Sequence, residues 1–166
     1  GAPTRGMAIV MGDHGETLLR AETAMLGNLD APEATAATID KDGWLHPGDV
    51  GVMNERGYID ITDRLKDMYI SGGFNVYPAE IEQALARLGG VAESAVVGIP
   101  DTRMGEVGKA YVVRKLGSRL TEEQVLAHAT TVLANFKVPR FVEFRDQLPY
   151  SAAGKVLKRQ LREEKS

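Results

Sequence analysis

The chain has 166 residues, of which 43% are apolar and 26% are charged, and its formal net charge is −3. This balance is typical of a folded protein, and the lack of cysteine excludes disulfide scaffolds, zinc fingers and thiolate catalysis. No apolar run approaches the ~18 residues of a membrane span, and the N-terminus lacks the layout of a secretory signal, so we expect a cytoplasmic protein.

Charge divides the chain into two parts near Asp63. Residues 1–62 hold 4 Lys or Arg against 10 Asp or Glu, whereas residues 63–166 hold 16 against 13. One interpretation is chance variation of the surface, and the other is two structural units of which only the second binds anions. Composition alone favours chance variation of the surface.

Short strands are predicted in the N-terminal part, because brief apolar runs alternate with glycine-containing turns. Residues 7–11, 17–20 and 58–61 form these runs, and residues 31–38 predict one short helix with Pro32 in its first turn. The strands are too few for a closed barrel, so we interpret them as part of a larger sheet.

A β-hairpin followed by a helix is predicted at the start of the C-terminal part. Gly72 and Gly73 lie between the apolar segments 68–71 and 74–77, a pattern typical of a two-residue hairpin turn. Pro78 favours a helix start, and apolar residues then recur at helical spacing until two glycines end the helix. The predicted buried stripe consists of Ile81, Ala84, Leu85 and Leu88.

Strands and helices are predicted in the remainder of the chain. Residues 93–99, 109–114 and 140–144 are predicted strands, residues 121–124 form a capping box that begins a helix, and a short basic helix ends the chain. The order hairpin, α, β, β, α, β, α indicates an α+β fold. The buried face of the capped helix is predicted to carry Val125, Leu126, Ala129, Val132 and Leu133.

Several common kinds of catalytic site are not supported by the spacing of their residues. His14, His46 and His128 are far apart and form neither an HxxxH nor an HExxH pattern, so no metal site is predicted. The chain contains no G-x-S-x-G sequence for a serine nucleophile. The glycine-rich residues 71–73 lack the spacing of a phosphate-binding P-loop.

Three other segments place polar side chains on irregular backbone. Residues 43–51 hold Asp49 on a glycine-flanked turn, residues 63–67 form a dense charge run, and residues 148–155 present Lys155 on a loop with Pro and Gly. Each segment alone is explained more simply as a turn aspartate, a solvated charge cluster or a surface lysine. Their order along the chain is the more informative feature.

The segments in this order resemble the C-terminal part of the acyl-CoA synthetases, within the superfamily of adenylate-forming enzymes. The resemblance extends from about Gly15 to Arg162, and residues 63–82 and 154–159 are its most specific stretches. It implies a small C-terminal domain with a hairpin and a mostly antiparallel three-stranded sheet flanked by helices, preceded by β-rich strands of a large N-terminal domain. The implied organisation is a remnant of that domain at 1–62, a hinge at 63–67 and the C-terminal domain at 68–166.

The resemblance implies a ligase that joins a fatty or other carboxylic acid to AMP, releases pyrophosphate, and then transfers the acyl group to coenzyme A. Mg-ATP and coenzyme A would be substrates, and no cofactor would be tightly bound. Lys155 matches the lysine that stabilises charge between the carboxylate and the α-phosphate. Asp49 and Arg64 match residues that reach the ribose, and Ile61 matches an apolar neighbour of the nucleotide.

The resemblance also implies that the C-terminal domain rotates between adenylation and thioester formation. Lys66 matches the hinge residue, which has to absorb a large change of backbone dihedral angles. Gly72, Gly73 and Phe74 match the surface along which the pantetheine arm of coenzyme A passes, and the two glycines leave room for it.

Two residues depart from the family's pattern. Pro47 stands where threonine is usual before Gly-Asp, and it brings neither a hydroxyl nor an N–H. Met104 stands where some relatives have an arginine near coenzyme A. No segment matches the family's phosphate loop or acyl pocket, which belong to the large N-terminal domain, so we expect the chain alone to be inactive.

An alternative hypothesis is a non-catalytic, truncated paralogue that binds coenzyme A or docks onto another protein. Nucleic-acid binding is not expected, because the basic tail also carries Glu163 and Glu164 and the net charge is negative. If residues 1–62 are strands separated from a larger sheet, we expect them to be disordered, swapped between chains, or paired in a homodimer through their exposed edges.

Overall fold

A computed structural model describes residues 1–164, and Lys165 and Ser166, at the end of the predicted domain 68–166, lie outside the described residues. The structure divides the chain into two compact units, Gly1–Lys66 and Asp67–Ser166. The division falls within the segment 63–67. Its role as a hinge stays a prediction. No helix among the described residues is long and apolar enough to cross a membrane.

The first unit contains two separate antiparallel strand pairs and one short helix. Strand β1 pairs with β2, and β3 pairs with β4 with a register shift after Val50. Three of the four strands coincide with predicted apolar runs separated by glycine turns. The strand Asp49–Met53 was not predicted: Asp49, which was expected on a turn, is its first residue. The elements are β1 Met7–Met11, β2 Thr17–Ala21, α1 Pro32–Thr38, β3 Asp49–Met53 and β4 Ile59–Arg64.

Isolated bridges connect β2 to the segment before β3, and the residue before β2 to β3. Leu45 bridges both Leu19 in β2 and Ile39 after α1, and Glu16 bridges Val50 in β3. Helix α1 begins at Pro32, whose ring pre-sets the first-turn geometry. Because these contacts join residues far apart in the sequence, they bring the loop before Asp49 close to the segment before β2.

The second unit is a five-stranded mixed sheet covered by helices, which confirms the predicted α+β fold. Strands β7 and β8 form a long antiparallel pair, β9 runs parallel to β8, and the hairpin β5–β6 joins β8 through Ser71 and Gly105. The strands are β5 Tyr69–Ser71, β6 Phe74–Val76, β7 Val91–Asp101, β8 Gly105–Arg114 and β9 Phe141–Arg145; the helices are α2 Pro78–Ala86, α3 Glu122–Val132 and α4 Lys158–Glu163.

The two faces of this sheet carry separate apolar clusters. Alternate residues of a strand point to opposite faces, so Val96 packs with residues of α2 and α3, whereas Ala95 and Val97 pack with Leu161 of α4. The Tyr111 hydroxyl donates to the Leu161 carbonyl at 2.9 Å and ties α4 to the sheet. Helix α4, which follows the Lys155 loop, is therefore anchored to the core of the second unit.

A pair of glycines makes room for the first aromatic residue of the second unit. Gly98 in β7 and Gly108 in β8 are cross-strand partners, and Tyr69 is 2% exposed. A Cβ atom at Gly98 would lie 2.4 Å from Tyr69 Cβ, and one at Gly108 would lie 2.4 Å from the Tyr69 oxygen. The tyrosine ring thus occupies a slot that side chains on these strands would close.

The helix signals in the sequence are confirmed, with one error in the buried face of α3. Thr121 Oγ1 accepts from the Gln124 N–H and the Gln124 side chain accepts from the Thr121 N–H, which completes the predicted capping box. The prediction that Val132 is buried is wrong, since its residue is 53% exposed. Helix α3 ends at Val132, and at the end of a helix the side chain no longer follows the buried stripe.

Candidate functional site

Asp49 and Arg64 form an ion pair at the ends of two paired strands. Asp49 is the first residue of β3 and Arg64 the last of β4, and the register places them opposite each other. Arg64 Nε lies 3.1 Å from Asp49 Oδ1, with the arginine side chain 58% and the aspartate side chain 27% exposed. An exposed ion pair contributes little to stability, so its main consequence is a defined orientation of two groups that solutes can reach.

The turn before Asp49 is held by hydrogen bonds on both sides of Gly48. Gly48 adopts a φ of +72°, which suits glycine. Its carbonyl accepts from the Leu65 N–H at 2.8 Å, and its N–H donates to Glu16 Oε1 at 3.1 Å. No role of Glu16 is predicted from the sequence, because no local pattern links two positions 32 residues apart.

Asp49 and Ile61 line one cavity within the first unit. The cavity has a volume of about 300 Å³, and Pro47, Leu19 and Ile59 are among its other lining residues. Ile61 is 56% exposed, so its apolar surface is available for contact with a ligand. The structure therefore brings together the three residues that the resemblance assigns to the nucleotide, Asp49, Ile61 and Arg64.

Lys155 is exposed at the end of a tight loop in the second unit. A bridge between Tyr150 and Val156 closes the loop. Inside it the Ser151 N–H donates to the Lys155 carbonyl at 2.8 Å, and the Lys155 N–H donates to Ser151 Oγ at 3.1 Å. Among residues 1–164 the structure records no ion pair for the Lys155 amine, so the loop fixes the backbone and leaves the exposed side chain to solvent.

The segment between the units is a single 3-10 turn, Leu65–Asp67, with Lys66 exposed. Asp67 belongs to the second unit. Its carbonyl accepts from Arg162 at 3.1 Å, and its carboxylate lies 3.9 Å from both the Lys158 amine and an Arg162 nitrogen. Helix α4 is thereby attached to the beginning of the second unit, close in sequence to the predicted hinge residue.

Gly72 and Gly73 form the predicted hairpin turn, with φ values of +58° and +86°. The Gly72 N–H donates to the Met104 carbonyl at 2.9 Å, and a Cβ at Gly72 would lie 2.6 Å from Met104 Cε. Phe74 is 57% exposed, and its ring stacks on Phe136 with centroids 4.6 Å apart. Turn and stacked rings form a surface with apolar area available to a ligand.

A charged cluster beneath β9 was missed by the sequence analysis. The Lys109 side chain is 9% exposed, and its amine lies 2.9 Å from Glu143 and contacts the ring of Tyr111. Burial is the largest single influence and lowers the pKa of Lys109, but the interactions with Glu143 and Tyr111 together outweigh it and raise that pKa. Arg145 pairs with Glu143 and Glu164. Because these charged groups pair with one another, we interpret the cluster as structural. A sequence pattern could not reveal it, because β9 is far from β8 along the chain.

The chain is similar to proteins of one superfamily along nearly its whole length. Residues 80–155 match the family model of the AMP-binding enzyme C-terminal domain. A methyl-dioxo-octahydro-indenyl-propanoyl:CoA ligase of Rhodococcus jostii (strain RHA1) is 68% identical over 160 residues, which are 96% of this chain and 31% of that protein. A long-chain-fatty-acid–CoA ligase of Bacillus subtilis (strain 168) is 45% identical over 154 residues, 93% of this chain and 27% of that protein.

Solved structures of the same superfamily share the fold. The crystal structure of ATP-bound MatB from Rhodopseudomonas palustris matches with a TM-score of 0.91 and 39% identity, covering 98% of this chain and 35% of that one. The chain thus spans about a third of the length of the relatives that it matches. Residues 80–155 carry the C-terminal domain of the AMP-binding enzymes, and nearly the whole chain is similar to CoA ligases and shares the fold of solved structures of the adenylate-forming superfamily.

Proposed function

We propose that this chain is the C-terminal part of an AMP-forming acyl-CoA synthetase, an acid–thiol ligase. It would act with a large N-terminal domain that supplies the phosphate loop and the acyl pocket. The observation that carries the proposal is the ion pair of Asp49 and Arg64, 3.1 Å apart beside a cavity that Ile61 also lines. These are the residues that the family resemblance assigns to the nucleotide.

Asp49 and Arg64 would hold the ribose of ATP. A carboxylate accepts several hydrogen bonds, so Asp49 retains acceptor capacity for two vicinal hydroxyls beyond its contact with Arg64. The arginine fork presents further N–H donors toward anionic oxygens. Ile61, with its exposed apolar surface, would pack beside the nucleotide.

Lys155 would supply the positive charge for adenylation. When the substrate carboxylate attacks the α-phosphorus, the P–O bond to pyrophosphate breaks, and negative charge on the phosphate oxygens is stabilised by a cation placed beside them. The loop that fixes the Lys155 backbone makes the position of this cation reproducible. The amine then meets the nucleotide without first having to break an ion pair of its own.

The second half-reaction would use the surface around Gly72, Gly73 and Phe74. Attack of the coenzyme A thiol on the acyl-adenylate forms the thioester bond, releases AMP and requires a path for the pantetheine arm. Gly73 offers backbone with open space around it, whereas Met104 occupies the space beside Gly72. Phe74 offers exposed aromatic area next to the turn. Lys66 would be the pivot that exposes this surface to the reacting centre.

The substrate would be a carboxylic acid of the kinds that the relatives' names specify. The ring-bearing propanoate is favoured over a fatty acid, because the relative named for it is 68% identical and the fatty-acid ligase 45%. The ratio of kcat/KM for a bicyclic propanoate and for a long-chain fatty acid, measured on the intact enzyme, tests this choice. A higher kcat/KM for the long-chain fatty acid would contradict the choice of the bicyclic propanoate.

The adenylation role of Lys155 is tested by the two half-reactions in the intact enzyme. We expect Lys155→Met to lower pyrophosphate release by about 10²–10³-fold, because a charge-stabilising donor of the transition state is lost. Thioester formation from a supplied acyl-adenylate should remain close to wild type. Lys115→Met removes another exposed lysine of the second unit and serves as the matched control.

Two results would contradict the proposal. Equal loss of pyrophosphate release in both lysine variants would deny Lys155 a specific role. Pyrophosphate release by the 166-residue chain alone would also contradict it, since this chain is expected to depend on the large domain. The alternative, a non-catalytic module that binds coenzyme A, predicts coenzyme A binding by calorimetry without any binding of ATP or AMP.

A further inference from the structure

A histidine bracketed by two carboxylates lies directly before the Asp49 turn. His46 Nδ1 is 3.1 Å from Glu16 Oε2, and His46 Nε2 is 3.4 Å from Asp40 Oδ2. The second oxygen of Glu16 accepts from the Gly48 N–H at 3.1 Å. One carboxylate thus contacts both the imidazole and the backbone of the turn that carries Asp49.

Glu16, Asp40 and His46 come from three separate segments of the first unit, and their side chains are partly shielded from water. Glu16 precedes β2 and its side chain is 13% exposed, whereas the side chains of His46 and Asp40 are about one third exposed. Asp40, after α1, also accepts from the Trp44 N–H at 2.9 Å, and the Arg20 guanidinium of β2 covers the Trp44 ring. Glu16 and Asp40 are the charged groups recorded against the His46 ring.

Pro47 explains why the turn depends on this side chain. Proline has no N–H, so the donors of the turn are the N–H groups of His46 and Gly48. The His46 N–H donates to the Thr38 carbonyl at 2.7 Å, and the Gly48 N–H donates to Glu16. A hydrogen bond to an ionised carboxylate is stronger than one between neutral groups, so Glu16 restrains the backbone one residue before Asp49.

We propose that Glu16 is a positioning residue for the Asp49 turn, and that protonated His46, held between Glu16 and Asp40, keeps Glu16 in place. The inference rests on the proposed function, which assigns Asp49 to the ribose. In this role Glu16 would not contact the nucleotide and would act through Gly48 and Asp49. The affinity for ATP therefore depends on the protonation state of His46.

The direction of the pH effect follows from the geometry. The hydrogen bond with Glu16 raises the pKa of His46, burial opposes it, and Asp40 adds to the increase. The pKa of His46 in the folded protein lies above the ordinary value of about 6.5. The stabilisation that protonated His46 gives to the turn is therefore fully present below about pH 6.5 and is lost as the pH rises through the folded pKa of His46. The turn is therefore best ordered at a pH below the folded pKa of His46, and the KM for ATP rises as the pH increases through that pKa.

The first measurement follows the imidazole itself in the intact protein with isotope-labelled histidine. We expect the His46 titration midpoint to lie above that of an ordinary histidine and to fall toward it in Glu16→Gln. Asp40→Asn should also lower the His46 titration midpoint, by a smaller amount than Glu16→Gln. Glu33→Gln, an exposed acid on α1, is the control and should leave the midpoint unchanged. An unchanged midpoint in Glu16→Gln would overturn the inference.

The second measurement is the KM for ATP in pyrophosphate release from pH 6 to pH 9. We expect Glu16→Gln to raise this KM about tenfold at pH 6, since a charge-assisted contact of the turn is lost, and to flatten its pH dependence, with kcat nearly unchanged. Glu33→Gln should keep the wild-type profile. A Glu16→Gln enzyme with the wild-type KM and profile would refute the positioning role.

The two experiments separate the inference from the proposed function. If the wild-type enzyme released no pyrophosphate with any carboxylic acid, the proposed function would fail. The histidine titration would still decide whether Glu16 and His46 are coupled. If the wild type is active and only the Glu16 prediction fails, the inference alone is wrong.

Discussion

Asp49 and Arg64 are oriented by their backbone positions, and a buried environment is not required. Both side chains are accessible to solvent, yet the register of β3 and β4 places them opposite each other. Lys155 is also oriented by its backbone position, because hydrogen bonds with Ser151 fix its backbone while the side chain stays exposed. Groups arranged in this way can exchange a water or ion-pair contact for a ligand contact at low cost.

A prediction at this scale concerns the ion pair. We expect Asp49→Asn in the intact enzyme to raise the KM for ATP at least about tenfold, because hydrogen bonds to a charged acceptor contribute more than those to a neutral one. The free energy of unfolding should change by less than about 0.5 kcal/mol, since the pair is exposed. Steady-state kinetics and urea unfolding measure the two quantities.

Arg64→Met should raise the same KM, and Arg119→Met, an exposed arginine of the second unit, is the matched control. The interpretation would be contradicted if Asp49→Asn unfolded the protein without affecting ATP binding in the molecules that remain folded. It would also be contradicted if Arg119→Met raised the KM as much as Arg64→Met.

At the scale of elements, the strands and turns explain where the functional residues can lie. The hairpin β5–β6 exposes Gly72 and Gly73 at its tip, and Tyr69 at its base is buried in the slot between Gly98 and Gly108. Helix α4 follows the Lys155 loop and contacts Asp67 through Lys158 and Arg162. The second unit therefore holds its proposed functional loops on elements that are themselves anchored in the core.

A prediction for these elements concerns the glycine slot. Gly98→Ala would place a methyl group 2.4 Å from Tyr69 Cβ, so we expect a loss of about 1–3 kcal/mol in the free energy of unfolding, as overpacked cores show. Gly89→Ala is the control, because a Cβ there meets no atom within 4 Å. Chemical denaturation of both variants measures the difference. Equal stability of the two would show that the slot is not tightly packed.

At the scale of the whole molecule, the proposed functional residues are divided between two compact units. Asp49, Ile61 and Arg64 belong to Gly1–Lys66, whereas Gly72, Phe74 and Lys155 belong to Asp67–Ser166. Only the turn Leu65–Asp67 joins them along the chain. A reaction with two half-steps that use different residues of the second unit would require a change of backbone dihedral angles near Lys66.

The corresponding prediction is a proline at the proposed pivot. Proline restricts φ to about −65°, so Lys66→Pro in the intact enzyme should lower overall thioester turnover by at least about tenfold, as domain motions limit many enzymes. At least one half-reaction, measured separately, should keep the wild-type rate. Lys66→Met removes the same side chain without restricting the backbone and should retain turnover. Equal turnover of the two variants would exclude a pivot at this residue.

Local sequence signals predicted much of the fold of the second unit. Pro78 begins α2, Thr121 and Gln124 form the capping box, and Gly72 and Gly73 make the hairpin turn. Such signals act within a few residues and are read directly from the chain. The exposure of Val132 was missed, because it depends on where α3 ends and what packs beyond it.

The proposed nucleotide and lysine positions were identified by their resemblance to a family. Glu16 lies within the stretch that shows this resemblance, but the resemblance assigned it no role. Its contacts with His46 and Gly48 join residues about 30 positions apart. The pairing of Lys109 with Glu143 likewise depends on β9 running beside β8.

The sequence by itself determined most of the elements, their caps and turns, and the resemblance to a family, because these follow from local conformational preferences and from motifs. Tertiary structure alone decided which distant charges meet, since hydrogen bonds and ion pairs depend on the positions of atoms in space. Glu16 is an ordinary acid in the sequence, and only the folded first unit places it against both His46 and the turn that carries Asp49.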